Sequence, residues 1–278
     1  LVFCNVSGKK RPTDVIVKNR YDQLWVYNYG GELLWTVKQP GGYRTAHQPL
    51  PFDLDGDGKD EIMAGYAMLN ADGSVRWTLS SGKADLPQGH LDCCRVLYKG
   101  PKPENWRFVM TYCGANCLAC VDGLGTTLWE NTGYHFESIN IGRVFSDIPG
   151  PQIAVDIDHV PQGESPVWFY DINGKRLATI VSDYCRHHEL FDWNADGFGE
   201  LIVADPCGAF DATGKRCITF DCGAEKGVAL QTGDMDGDGV VDIAFTTERH
   251  FFIFKNVTGI TRSTDKKTIG CGVNYTFY

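Results

Sequence analysis

The chain has 278 residues, of which 43% are hydrophobic, so it carries enough apolar material for a sizeable core. Its formal net charge is −9 and no basic stripe runs along it, which argues against a nucleic-acid partner. No apolar run reaches the length of a membrane span, and no signal peptide is visible. Size and composition are typical of one globular β domain, which we expect to cover residues 1–278.

At the start of the chain, residues 5–9 precede the apolar run 14–17 and form the first of several related turns. The turn is most acidic in three copies that begin at Asp53, Asp192 and Asp234. Each copy places side-chain oxygens at positions 1, 3, 5 and 9, and position 7 can add a backbone carbonyl. Ca²⁺ accepts about six to eight oxygens at flexible angles, so this spacing predicts calcium sites. The predicted ligands are Asp53, Asp55, Asp57, Lys59 and Glu61; Asp192, Asn194, Asp196, Phe198 and Glu200; and Asp234, Asp236, Asp238, Val240 and Asp242.

The three acidic turns do not match the helical EF-hand. That motif needs a bidentate Glu at position 12, where these turns have Ala64, Ala204 and Phe245. Short apolar runs follow each turn and read as buried strands. We therefore expect bound calcium to hold the turns together and to take no part in catalysis.

The turns recur with a period that predicts the fold. Asp234 lies 42 residues after Asp192, and weaker turns near residues 98–101 and 146–150 fill the longer gap after the first acidic turn. Asp-Gly and related turns, often followed by Trp, recur in step and indicate hairpins. Each unit reads as strand, acidic turn, strand, strand, Asp-Gly turn, strand.

A four-stranded unit of about 45 residues is typical of a β-propeller blade. We predict an all-β propeller of about six to eight such blades; a parallel β-helix is the weaker alternative. A propeller ring closes to hide its sheet edges. We therefore expect one or two further blades before Leu1, unless the tail 268–278 supplies an outer strand.

The chain has eleven cysteines, and zinc binding by Cys117 and Cys120 is disfavoured because no second pair of that spacing follows. Disulfides in an oxidising compartment are the better explanation. The local candidates are Cys207 with Cys222 or Cys217, and Cys113 with Cys117 or Cys120. The odd number leaves a thiol free or bonded to a disulfide-linked partner. The sequons at Asn5, Asn256 and Asn274 add predicted glycosylation sites, so we expect an extracellular glycoprotein.

Histidines concentrate in the segments that precede the acidic turns and their weaker counterparts. Five of the seven lie there, and we expect them to gather at one funnel with cationic and phenolic neighbours. The predicted site residues are His47, His90, His135, His187, His188, Arg44, Arg186 and Tyr43. Acid–base catalysis with cationic substrate clamps is the preferred interpretation. A transition-metal site and a polar channel without chemistry are the alternatives.

Residues 18–25, 47–61, 64–73, 89–92, 133–135 and 274–278 together resemble rhamnogalacturonan lyase-type propellers, the family eleven-like and FG-GAP-like polysaccharide lyases. The resemblance runs through nearly the whole chain, although the many cysteines and sequons depart from the bacterial pattern. It implies calcium binding and β-elimination on rhamnose-linked uronic acids.

For β-elimination, Arg44 or Arg186 would neutralise the carboxylate, His47 or His90 would be the base, and Tyr43 or His135 the acid. The alternative is a non-catalytic extracellular propeller that binds an acidic glycan or takes part in self-assembly. An integrin-like adhesion head is the weakest option, because it gives the histidines no purpose.

Overall fold

A computed structural model describes residues 1–79, 89–158, 165–182 and 184–257, without the side chains of 165, 181, 182 and 184–186. The chain divides into two compact units, with the first covering residues 1–137 and the second starting at Ser138. In the described ranges no helix has the length and hydrophobicity that crossing a bilayer requires.

The first unit contains three four-stranded sheets. Sheet 1 has the order β1-β2-β3-β4, sheet 2 the order β5-β6-β7-β8, and sheet 3 the order β12-β11-β10-β9. The strands are β1 (Val2–Cys4), β2 (Asp14–Lys18), β3 (Gln23–Tyr27), β4 (Leu33–Lys38), β5 (Thr45–Phe52), β6 (Glu61–Gly65), β7 (Ala67–Leu69), β8 (Val75–Thr78), β9 (His90–Tyr98), β10 (Arg107–Cys113), β11 (Cys117–Asp122) and β12 (Thr127–Thr132). Short 3-10 helices lie at Pro40–Gly42 and Pro103–Asn105.

The second unit holds sheet 4 (β13-β14-β15-β16), sheet 5 (β17-β18-β19-β20) and the three-stranded sheet 6 (β21-β22-β23). The strands are β13 (His135–Gly142), which begins in the first unit, β14 (Gln152–Asp158), β15 (Ser165–Tyr170), β16 (Arg176–Ser182), β17 (Tyr184–Phe191), β18 (Glu200–Asp205), β19 (Gly208–Phe210), β20 (Arg216–Thr219), β21 (Gly227–Gly233), β22 (Asp242–Thr247) and β23 (Phe251–Phe254). All pairs with a defined register are antiparallel.

The predicted order of strands and turns is present in sheets 1 to 5, and the described part of sheet 6 contains three strands. In sheet 2 the acidic turn joins β5 to β6, and an Asp-Gly turn joins β7 to β8. The segments after the three acidic turns are strands with buried central residues, so the EF-hand is excluded there. The fold is all-β, and its consecutive antiparallel sheets are consistent with a propeller-like fold.

Consecutive sheets of the first unit are joined by a repeated tryptophan contact. Trp35 of sheet 1 donates Nε1–H to the Ala71 carbonyl in the hairpin turn of sheet 2 at 2.9 Å. Trp77 of sheet 2 donates in the same way to Gly123 of sheet 3 at 3.0 Å. A Cβ atom at Gly73 or Gly125 would lie 2.8 Å from the indole above it, so glycine is required for this approach.

Apolar side chains fill the space between neighbouring sheets. Leu24 and Val26 of sheet 1 pack with Ile62 and Leu69 of sheet 2 in one buried cluster. In the second unit Phe210 of sheet 5 packs with Phe169 of sheet 4, and separate clusters serve the other neighbours. The central strands β6 and β18 are buried on both faces, which explains their continuous apolar sequences.

Candidate functional site

Three buried polar side chains meet in the first unit. We call His47 on β5 with His90 and Asp92 on β9 the imidazole cluster. The Nε2 atoms of the two histidines are 3.0 Å apart. Asp92 Oδ1 lies 3.1 Å from His90 Nε2 and 3.5 Å from His47 Nε2. The cluster thus unites two of the predicted site residues with a carboxylate that was not on the predicted list.

Irregular strand pairing places these side chains. The β5–β6 register shifts between Thr45 and Leu50, the segment that contains His47. The β10–β9 register shifts between Met110 and Tyr112, opposite the start of β9. A bulge re-aims the side chains on its strand and is frequent beside active sites. The histidine segments therefore leave the regular alternation of the sheet where they approach one another.

A tyrosine covers the imidazole cluster. The Tyr21 ring lies 5.4 Å from the His47 ring and 4.6 Å from the His90 ring between centroids. The guanidinium carbons of Arg20 and Arg44 lie 5.1 and 5.2 Å from the Tyr21 centroid. We call Arg20, Tyr21 and Arg44 the arginine–tyrosine platform. Guanidinium groups in this position are attracted to the face of the ring.

Burial and charge set the protonation of this region. Burial, and then the neighbouring His90, lower the pKa of His47 from 6.5 to about 4. His47 is therefore neutral at physiological pH, with one ring nitrogen unprotonated. Burial and Arg20 lower the pKa of Lys18, on the adjoining strand β2, to about 8. The combination gives a neutral imidazole beside several cationic side chains.

The triangle of two Nε2 atoms and one carboxylate oxygen also suits a metal. Ligand atoms around a tetrahedral zinc ion are about 3.3 Å apart for metal–ligand bonds of about 2.0 Å. The three distances of 3.0, 3.1 and 3.5 Å are close to that value. The transition-metal alternative raised by the sequence stays a prediction, and these three side chains are the ones that could hold the ion.

A second histidine–carboxylate pair adjoins the cluster. His135 Nε2 lies 3.2 Å from Glu137 Oε1, and Glu137 is fully buried. Ligand atoms of His135, Cys113 and Asp92 lie within 4.8 Å of one another. Asp92 thus connects this pair to the imidazole cluster, and the predicted grouping of His47, His90 and His135 is found within the first unit.

The remaining predicted residues occupy other surroundings. Tyr43 is partly buried and packs edge-on against Tyr66, 5.6 Å between centroids, beside the core between sheets 2 and 3. In the second unit His188 is fully buried, with Nδ1 3.0 Å from Asn140 Nδ2 and Nε2 3.4 Å from Asp156 Oδ1. These contacts are those of a structural histidine.

His187 is also buried, whereas the Arg186 side chain lies outside the described part. That all five histidines share one funnel stays a prediction.

The acidic turns are built alike. The carboxylate at position 9 accepts the backbone N–H of position 2 in every copy: Glu61 from Leu54, Glu200 from Trp193 and Asp242 from Met235, at 2.9, 2.9 and 3.2 Å. Burial raises the pKa of Glu61 and of Glu200. In the first and third turns, carboxylate oxygens of Asp53, Asp55 and Asp57 and of Asp234, Asp236 and Asp242 lie within 4.8 Å of one another. These oxygens fit a calcium ion.

Cationic side chains already contact two of the acidic turns. Arg76 Nη1 lies 2.9 Å from Asp55 and 3.1 Å from Glu61. Lys255 pairs with Asp236 and, at 2.7 Å, with Asp238. In the second turn Asn194 donates to Glu200 at 2.7 Å. A calcium ion at the first or third turn would compete with these cations.

Two predicted glycosylation sites use their amide groups inside the fold. Asn5 donates to the carbonyls of Lys9 and Gly58 at 2.9 and 3.0 Å, and the buried Asn256 donates to Trp193 at 3.0 Å. Glycans at these positions stay predictions, and attachment would break those hydrogen bonds. Asn274 lies outside the described residues.

The structure contains no disulfide among the cysteines whose side chains it describes. The predicted pairings of Cys113 are not formed in it, and Cys207 and Cys222 are thiols that pack in one buried cluster.

Sequence reasoning did not place Tyr21, Arg20, Asp92 and Glu137 in the site. Asp92 and Glu137 each lie two residues after a predicted histidine, so each points to the same side of its strand as that histidine. That spacing was a usable signal. Tyr21 and Arg20 lie in the β2–β3 turn, where the Tyr21 carbonyl accepts Thr45 N–H at 2.9 Å, and periodicity gives no sign of this contact.

No protein-family model and no curated protein matches the sequence. Among solved structures, the chain is similar to rhamnogalacturonan lyase PL11 of Bacillus licheniformis at 16% identity and a TM-score of 0.38, over 93% of this chain and 49% of the lyase. The chain thus spans about half the length of that lyase.

The biofilm matrix protein Bap1 of V. cholerae gives 11% identity and a TM-score of 0.54, over 89% of this chain and 69% of Bap1. BBS1N, in its complex with ARL6DN, gives 12% and 0.57, over 91% and 76%. At these identities the likeness concerns the fold alone.

Proposed function

We propose that this chain binds an acidic polysaccharide at the arginine–tyrosine platform and cleaves it by β-elimination beside the imidazole cluster. The observation that carries the proposal is the contact of Tyr21, flanked by Arg20 and Arg44, with the rings of His47 and His90. In a chain with a net charge of −9, such a local group of cations is suited to an anionic ligand.

The chemistry of β-elimination matches the groups present. The proton at C5 of a uronate becomes more acidic when a cation neutralises the adjacent carboxylate, and Arg20 and Arg44 can supply that charge through charge-assisted hydrogen bonds. A base removes the proton, and an acid protonates the departing 4-linked sugar.

His47 is the proposed base. Asp92 and His90 lie on its Nε2 side, so a hydrogen held on Nε2 leaves the lone pair on Nδ1. His135, oriented by the buried Glu137, is the proposed acid. Tyr43 is not assigned the acid role, because its partly buried ring packs edge-on against Tyr66.

A polymer of rhamnose and uronic acid is the proposed substrate, and the extracellular space the proposed location. Calcium at the acidic turns, where the carboxylate groups of the first and third turns fit the ion, is proposed to hold the sheets' inner turns. It would act on stability and not on the elimination step.

A non-catalytic extracellular glycan-binding or assembly role is the second candidate. The fold-level likeness to the matrix protein Bap1 favours it. In this role the platform would bind the acidic sugar and the histidines would only shape the site.

The test is the absorbance of unsaturated uronate after incubation with rhamnogalacturonan and with gum arabic. We expect product formation by the wild-type chain and a loss of at least about 100-fold in His47→Asn, because a positioned base contributes about 10²–10⁴-fold. His250→Asn is the matched control, since His250 is an exposed histidine paired with Glu225 in the second unit. No product from any uronate polymer would refute the lyase and leave the binding role.

A further inference from the structure

The second unit contains two cysteines that pack in the same buried cluster. Cys207 follows β18, and Cys222 lies between β20 and β21. Both side chains are buried in the core between sheets 5 and 6, where each thiol shifts the pKa of the other. The sequence offered Cys222 and Cys217 equally as partners for Cys207.

The backbone holds the two cysteines in place. Cys207 N–H donates to Ala204 O at 3.0 Å, and Phe220 N–H donates to Cys207 O at 2.8 Å. Cys222 N–H in turn donates to Phe220 O at 3.0 Å. Backbone hydrogen bonds through Phe220 therefore hold Cys207 and Cys222 near each other.

The conformation of Cys207 indicates that its side chain is needed. Its φ angle is +51°, in the left-handed region that favours glycine or asparagine over other residues. A cysteine at such a position costs conformational energy that glycine would avoid. The thiol is thus retained against the local backbone preference.

Cys217 has a different environment. It is exposed on β20, and its sulfur lies 3.4 Å from the Ala209 carbonyl. The geometry therefore separates the two candidate partners.

From this packing and backbone geometry we propose that Cys207 and Cys222 form a structural disulfide that ties sheet 5 to the segment entering sheet 6, while Cys217 remains a thiol. Each cysteine gives up one hydrogen, and the two electrons and two protons pass to a disulfide oxidant of the glutathione type, which leaves as two thiols. The bond closes a loop that runs from residue 207 to residue 222, which restricts the unfolded chain.

The surroundings agree with a lasting bridge. A cavity of about 320 Å³ is lined by both cysteines together with Asp205, Arg216 and Lys226. Burial raises the pKa of Cys207 to about 12, so the folded dithiol exchanges slowly. Gly227, where β21 begins, packs so tightly on Ala204 that a Cβ would lie 1.6 Å from its carbonyl oxygen. The proposed bond would fix this close contact.

The test is disulfide mapping of the full chain folded in a glutathione redox buffer, blocked with an alkylating reagent and cleaved before aspartates. This cleavage puts the three cysteines on separate peptides, 205–210, 211–220 and 221–233. We expect a 205–210/221–233 pair that disappears on reduction, with Cys217 alkylated. A bond from Cys207 to Cys217 or to any other cysteine would overturn the proposal, as would alkylation of both Cys207 and Cys222.

A stability measurement tests the structural role independently. Reduction should lower the melting temperature of the wild-type chain and of Cys217→Ser. It should leave Cys222→Ser unchanged over the same interval. An equal effect of reduction in Cys222→Ser and in wild type would contradict the assignment, and the mapping result holds even if that variant does not fold.

Discussion

The protonation of His47 shows how burial prepares a single residue for chemistry. A solvent-exposed imidazole is partly charged near neutral pH, whereas His47, with a pKa of about 4, stays neutral. His90, whose Nε2 lies 3.0 Å from that of His47, further disfavours a positive charge on His47. The same environment that keeps a lone pair available must then weaken the folded state in acid.

The free energy of unfolding should therefore depend on pH. The folded pKa of His47 is lowered, so above pH 6.5 the residue contributes no pH dependence. As the pH falls from 6.5 towards 4, the His47 imidazole is protonated in the unfolded state but stays neutral in the folded state. Stability should then fall by up to ~1.4 kcal/mol per pH unit from this residue.

Denaturant unfolding of wild type and His47→Gln across that pH range measures the effect. The stability of wild type relative to the variant should decline as the pH falls through this window. A constant difference between the two proteins would show that His47 has no such lowered pKa.

At the level of elements, the repeat was predictable and the site was not. Asp-Gly turns, acidic turns and apolar runs each report local structure, so the order of strands followed from sequence. The bulges that bring His47 and His90 together depend on pairing between strands, and the contact of Tyr21 depends on a neighbouring sheet. Such long-range geometry leaves no periodic signal.

The tryptophan contacts between sheets yield a matched test. Gly73 and Gly31 lie in equivalent hairpin turns with φ angles of +83° and +81°, but only Gly73 lies beneath an indole. Gly73→Ala should therefore destabilise the chain by at least ~1 kcal/mol more than Gly31→Ala, because it adds a steric clash to the same backbone strain. Chemical denaturation of both variants gives the difference, and equal losses would show that Trp35 does not pack as described.

The cations at the acidic turns lead to a calcium prediction. If Lys255 competes with Ca²⁺ for Asp236 and Asp238, Lys255→Met should raise the calcium affinity of the third turn severalfold. Calorimetric titration of calcium into the calcium-free chain measures it. Lys10→Met, which removes an exposed charge elsewhere, is the control. An unchanged or lower affinity in Lys255→Met would contradict the competition.

Across the whole molecule, the order of the sheets indicates the function less specifically than the side chains of the site do. In the first unit, tryptophan contacts join consecutive sheets, and a fold built in this way does not by itself fix a function. Only the first unit combines, in its described residues, a pair of guanidinium groups on a ring with histidines beneath it. We therefore expect the arginine–tyrosine platform to recognise a sugar carboxylate.

The most direct measurement is calorimetric binding of two ligands to the His47→Asn chain, which should not cleave them. One ligand is a rhamnose–galacturonate oligosaccharide, and the other is the same oligosaccharide with its carboxyl groups reduced. The acidic form should bind at least about tenfold more tightly, since a charge-assisted hydrogen bond contributes about 1.5–3 kcal/mol. Replacing both Arg20 and Arg44 by Gln should abolish that preference. Equal affinity for the acidic and reduced ligands, or no binding of either, would contradict the account.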